Sequence, residues 1–249
     1  MSHLAAAQQL LTLSWEPCFG NLSTAHVQLV PQCFGVLTEE VVDTLVAAHP
    51  GTRFRLHANA RVLAAHRVAD LSGLLANHDW FQQAARISRR LAAPAYTAHA
   101  GSRTEASMSG MLDNARRCAD LFDCPVGIEG LYPTRGDPWL VSTWAEYREV
   151  FESGVPYAID LSHINILATS TGLREIGLLQ EMLACERCIE AHVSDNDGRG
   201  DWHQVCEQRP WWSPLLDHIH DNAVVFSEGN HRKRRNSHAK PSSQSQPQS

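Results

Sequence analysis

The stretch Tyr157-Ala158-Ile159-Asp160-Leu161-Ser162-His163 is a short apolar run that turns polar at its C-terminal end. A run of this length, bounded by a polar turn, reads as a buried strand. The pattern recurs at 12–16, 26–31, 54–59, 95–100, 126–131, 188–195 and 223–229, which makes eight strand-like runs with 157–163. Between most of them apolar residues fall at helical spacing, over 38–49, 70–91, 108–122, 144–153, 173–186 and 211–221. Thr38-Glu39-Glu40 supplies a cap and acids for a first turn, and Gly154 supplies a helix stop. Strands alternating with helices imply parallel pairing, so the expected fold is α/β, a closed (β/α)8 TIM barrel. Its first unit is degenerate, because 17–25 is too short for a full helix. No helix follows the last run, and the segment 4–11 is the candidate to cover that place. One barrel domain is expected over 1–230, with a disordered basic, Ser- and Gln-rich tail over 231–249.

Composition narrows the chemistry. Hydrophobic residues make up 43% and charged residues 19% of 249, a globular balance that excludes wholesale disorder. No apolar run reaches the roughly 18 residues of a membrane span, and no basic residue introduces the apolar N-terminal stretch, so a cytoplasmic protein is expected. The tail carries Arg232, Lys233, Arg234, Arg235 and Lys240, and residues 1–230 keep 16 basic against 27 acidic residues. An acidic body argues against nucleic acid as partner. Lys233 and Lys240 are the only lysines, so a barrel lysine cannot form a Schiff base. Seven cysteines, at 18, 33, 118, 124, 185, 188 and 206, form no regular frame and read as reduced thiols. Cys185 and Cys188 read as packing residues at a helix-to-strand junction. Gly-x-Ser-x-Gly, P-loop and dinucleotide glycine patterns are absent.

The polar strand ends carry the functional signal. In order they give His57, His99, Glu129, Asp160 with His163, His192, Asp201 with His203, and Glu228. In a parallel barrel such ends converge at the C-terminal mouth. Nine oxygen and nitrogen donors at one mouth are costly to desolvate unpaired, and one to three divalent cations are the simplest compensation. Asp201-Trp202-His203 would place two donors on one side of an extended segment. Asp195-Asn196-Asp197-Gly198 reads as a tight turn that holds ligands in orientation. Arg103, Arg135 and Arg199 lie in expected mouth loops and could clamp an anion, although a solvated loop charge is the plainer role for each. Trp211-Trp212 reads as packing at a helix start or as a stacking lid.

Together the motifs Tyr96-Thr97-Ala98-His99-Ala100-Gly101, Gly127-Ile128-Glu129-Gly130, Ile159-Asp160-Leu161-Ser162-His163, the run from His192 to His203 and Phe226-Ser227-Glu228 resemble the xylose isomerase-like barrel superfamily. This superfamily includes sugar and sugar-phosphate isomerases and epimerases, and the endonuclease IV-type AP endonucleases of family 2. In epimerase-like members, the resemblance implies one divalent ion (Mn, Zn, Co or Mg) on Glu129, Asp160, His192 and Glu228. Glu129 and Glu228 would exchange a proton beside a carbonyl through an enediolate, with His163 in the catalytic group and His203, Arg199 and Trp211 toward a small-molecule substrate. In endonuclease-like members all nine donors hold a three-zinc cluster that cleaves a phosphodiester. The short interval from His192 to Asp201 is closer to the isomerase branch, whereas 204–212 departs from the glycine-rich segment expected there. The expected activity is therefore isomerase or epimerase. A multinuclear hydrolase, a multi-iron oxidase acting on a peptide or natural product, and a non-catalytic binding barrel stand as alternatives, and a homodimer is the expected assembly.

Overall fold

The computed structural model describes residues 15–30 and 35–230. The 4–11 segment, residues 12–14 of the first run and the 231–249 tail lie outside them. Strand β1 (Trp15–Glu16) pairs antiparallel with β2 (Gly20–Asn21), with Gly20 at a φ of 70°. The first run is therefore not a parallel stave among the described residues. Its chain reverses through a tight turn that only a residue tolerant of positive φ accepts readily, with no crossover.

Seven parallel strands follow. Strands β3 (His26–Leu29) and β4 (Arg53–Leu56) pair in register from His26 opposite Arg53 to Leu29 opposite Leu56. Strands β5 (Tyr96–His99), β6 (Val126–Glu129), β7 (Tyr157–Asp160), β8 (Cys188–Val193) and β9 (Val224–Ser227) form one sheet in sequence order. Strand β4 lies beside β5, and β3 beside β9. Closure is visible inside as well. Glu190 on β8 accepts hydrogen bonds from Gln28 on β3 and Thr97 on β5 and pairs with Arg55 on β4, which requires the sheet to curl onto itself.

The helices form where local chemistry supports them. Thr38 caps α1 (Glu39–Ala48) through Oγ1, which accepts from Val41 N. Ser107 and Thr143 do the same for α3 (Met108–Phe122) and α4 (Trp144–Glu152). Helix α2 (His78–Arg90) buries Trp80, Phe81, Ala84, Ala85, Ile87 and Ser88, one face at helical spacing. Each large apolar side chain buried this way contributes roughly 1.5–3 kcal/mol.

Three expectations are corrected. The 70–91 pattern splits into a 3-10 turn, Leu71–Gly73, and α2; Ser72 N donates to the Ala100 carbonyl, which draws the turn onto the barrel rim. The 173–186 pattern contracts to α6 (Ile176–Ala184): α5 (Leu161–Thr171) ends on Gly172 at a φ of 69°, and 173–175 joins the two helices. The 211–221 pattern is a 3-10 segment, Ser213–His218, in which Pro214 offers no N–H to a helix. Cys18, Cys118, Cys124, Cys185, Cys188 and Cys206 are free. No helix among the described residues is long and apolar enough to cross a membrane.

Candidate metal centre

Parallel register sets the rim. His99 stands opposite Glu129, and Asp160 opposite His192, each at or near its strand's C-terminal end. His57 follows β4 directly and Glu228 follows β9. Asp160 also caps α5: its Oδ1 accepts from Ser162 N and His163 N. That capping starts the helix immediately and turns His163 into the mouth from its first turn. Asp201 and His203 come from the loop after β8. His203 has a φ of 46° and its segment is not extended as expected; the Asn230 N–H donates to its carbonyl and anchors the bend.

The nine donors meet. His192 Nδ1 lies 3.4 Å from Glu129 Oε1 and 3.5 Å from Glu228 Oε1. His57 Nε2 is 3.3 Å from Glu228, and His99 Nε2 is 3.8 Å from Glu129. His163 Nε2 is 3.5 Å from Asp160 and 3.4 Å from Asp201, and His203 Nε2 is 3.1 Å from Asp201. Within this cluster three sets have ligand atoms mutually within 4.8 Å: His57, His192 and Glu228; His57, His99 and Glu129; and Glu129, Asp160 and His163.

Each deep imidazole is anchored by the nitrogen that points away. His57 Nδ1–H donates to the Ala58 carbonyl at 2.8 Å, and His163 Nδ1–H to the Gly130 carbonyl at 2.8 Å. His99 Nδ1 meets Asp70 Oδ1 at 3.3 Å, and His192 Nε2 meets Glu190 Oε2 at 3.1 Å. Anchoring one ring nitrogen and aiming the other inward is how metal-ligating histidines are oriented. Glu129 Oε2, Asp160 Oδ2, His192 Nδ1 and His203 Nδ1 are buried without a hydrogen-bond partner. Four orphaned, electron-rich atoms in one mouth fit a bound cation better than they fit a closed polar core.

The same proximity sets the charges of these side chains. Burial would raise Glu228, but His192 and His57 bring it down to about 2. Burial likewise opposes ionisation of Glu129, and His192 and His99 hold it well below the usual carboxylate range. Burial would lower His57, yet Glu228 and Glu129 push it up to about 9; for His163, Asp160 and Asp201 overcome burial and push it to about 10.

The loop residues are less involved. Arg103 Nη1 is 2.5 Å from Glu146 Oε1, so its charge is spent inside the fold. Arg135 and Arg199 are exposed. The Trp211 indole donates to Asn165 Oδ1 at 2.7 Å and carries the Arg174 guanidinium 4.5 Å over its ring, a packing role. Sequence reasoning missed Asp70 and Glu190. Asp70 opens the 70–91 pattern and reads there as the start of a helix, but Glu190 stands two residues before His192, where strand alternation turns it to the same side.

No family model matches the chain, and no curated protein matches it. Solved structures do. A D-tagatose 3-epimerase-like protein aligns at 15% identity over 86% of this chain and 85% of its own, with a TM-score of 0.61. A xylose isomerase domain protein from Salmonella typhimurium LT2 aligns at 14% over 92% and 85%, TM-score 0.58. An AP endonuclease of family 2 from Brucella melitensis aligns at 13% over 82% and 81%, TM-score 0.55. The parallel strands, with β3 beside β9 and β4 beside β5, agree with these alignments, and the chain has a TIM-barrel fold similar to that of these xylose isomerase-like structures.

Proposed function

We propose that this chain is a divalent-metal-dependent isomerase or epimerase of a small hydroxylated carbonyl compound. The observation that carries the proposal is the pair Glu129 and Glu228, which face one His192 nitrogen from different strands while Glu129 keeps a buried, unpartnered oxygen. The similar structures include an L-ribulose 3-epimerase and the D-tagatose 3-epimerase-like protein, which supports this class.

Glu129, Asp160, His192 and Glu228 would hold a Mn, Zn, Co or Mg ion, and such an ion polarises a carbonyl and stabilises the charge that develops on its oxygen. The chain's own residues do the proton work. Both glutamates stay ionised at neutral pH, so either can accept the proton from the carbon beside the carbonyl. The other carboxylate holds no proton at rest and relays one to the resulting enediolate: His57, protonated and 3.3 Å from Glu228, gives it the proton, and the proton taken by the first glutamate passes to solvent. The partly exposed His203 stands toward solvent, where substrate hydroxyls would bind, and the buried His163, locked by Gly130, stands below it beside Asp201.

Incubation of metal-loaded protein with a panel of ketoses and keto acids in D2O tests this proposal. Deuterium is expected at the carbon beside the carbonyl, together with the isomeric product. Product formation with no deuterium, or hydrolysis instead of isomerisation, would contradict it. One observation favours a second assignment. Asp201 lies between His163 at 3.4 Å and His203 at 3.1 Å, and a family 2 AP endonuclease is among the similar structures, so a multinuclear phosphodiesterase is the competitor. Nicking of abasic-site DNA would select it.

A further inference from the structure

We propose that Glu190 is a positioning residue that presents His192 to the site through a polar layer built beneath the nine donors. Strand periodicity places it there. Glu190 lies two residues before His192, Arg55 two before His57 and Thr97 two before His99, and Gln28 stands opposite Arg55 in register. Residues two apart share a face, so these four side chains make the interior layer one step below the mouth.

The layer converges on one carboxylate. Glu190 has 0% exposure. Its Oε1 pairs with Arg55 Nη1 at 2.7 Å. Its Oε2 accepts from Gln28 Nε2 and Thr97 Oγ1, both at 2.7 Å, and meets His192 Nε2 at 3.1 Å. Small neighbours make room: Ala158 stands opposite Glu190, and a Cβ on Gly127 would lie 3.0 Å from Thr97 Cγ2. Barrel interiors are ordinarily packed with branched apolar side chains, and a buried ion pair seldom improves stability over such packing. What this arrangement provides is direction. The carboxylate holds the His192 Nε2–H and leaves the unpartnered Nδ1 aimed at Glu129 and Glu228.

This inference rests on the metal-site proposal, and the test separates the two. Chelator-stripped wild type, Glu190→Gln and Arg55→Met/Glu190→Gln are titrated with Co2+, followed by its visible absorption, and each metal-free protein is melted. The double variant removes the ion pair together, so it remains folded even if Arg55 left alone destabilises the single variant. Wild type is expected to bind Co2+. Both folded variants are expected to bind about 10–100-fold more weakly, with the double variant melting near the wild-type temperature. In zinc-loaded protein labelled with 15N-histidine, the His192 Nε2–H resonance is expected to move toward that of a weaker hydrogen bond in both variants, as a neutral amide replaces the carboxylate. Variants that bind Co2+ within twofold of wild type would overturn the role of Glu190. Failure of wild type itself to bind would overturn the metal site and, with it, this inference.

Discussion

The Glu129→Gln variant is expected to lose about 10³-fold or more in turnover while keeping its fold. General acid–base groups contribute about 10²–10⁴-fold, and this side chain is also placed to ligate. Its Oε1 is 3.4 Å from His192, 3.8 Å from His99 and 3.9 Å from His163. An amide of the same shape fills the same space, yet it accepts no proton and its charge no longer balances three imidazoles. The check is kcat on the substrate found above, beside a melting curve. A fully active variant would remove Glu129 from the chemistry.

The Gly130→Ala variant is expected to damage both stability and the site. A Cβ at Gly130 would run into the Tyr147 ring, and Tyr147 is buried, with its hydroxyl donating to the Leu131 carbonyl. Overpacking of this kind costs about 1–3 kcal/mol, which for a domain of this size lowers the melting temperature by roughly 2–12 °C. The displaced segment also carries the carbonyl that fixes His163, so metal affinity or turnover should fall with it. An unchanged melting temperature and unchanged activity would show that neither contact matters.

Much of this architecture is legible in the sequence because alternation and strand ends are local signals. Tyr96–His99, Val126–Glu129 and Tyr157–Asp160 each read as a short apolar strand, and each ends on a residue of the candidate site. The helix 108–122 is legible to the residue. What escapes is set by tertiary contacts. Leu161 to His163 read as the end of a strand because the apolar run continues, whereas the Asp160 carboxylate caps the backbone there and starts α5. The layer of Gln28, Arg55, Thr97 and Glu190 joins residues far apart in the chain, and nothing local marks an arginine and a glutamate as partners. Asp201 and His203 were legible as donors, but their bend depends on a contact with Asn230.

The most direct measurement is a calorimetric titration of chelator-stripped, anaerobically handled protein with Zn2+, Mn2+ and Fe2+ in two buffers of different ionisation enthalpy. It gives the number of ions per chain and the protons released. His57 near 9 and His163 near 10 hold protons at pH 7, and Glu129 and Glu228 overcome burial to hold His192 well above its ordinary value, so an ion ligated by any of these imidazoles displaces a proton. Affinity should therefore rise with pH up to about 9, by about tenfold per pH unit for each proton displaced. One ion bound with proton release supports the isomerase or epimerase assignment. Two or three would show the whole donor set loaded, with zinc favouring phosphodiester hydrolysis and iron favouring oxygen chemistry. No binding of any of these ions would contradict the claim that this mouth is a metal centre.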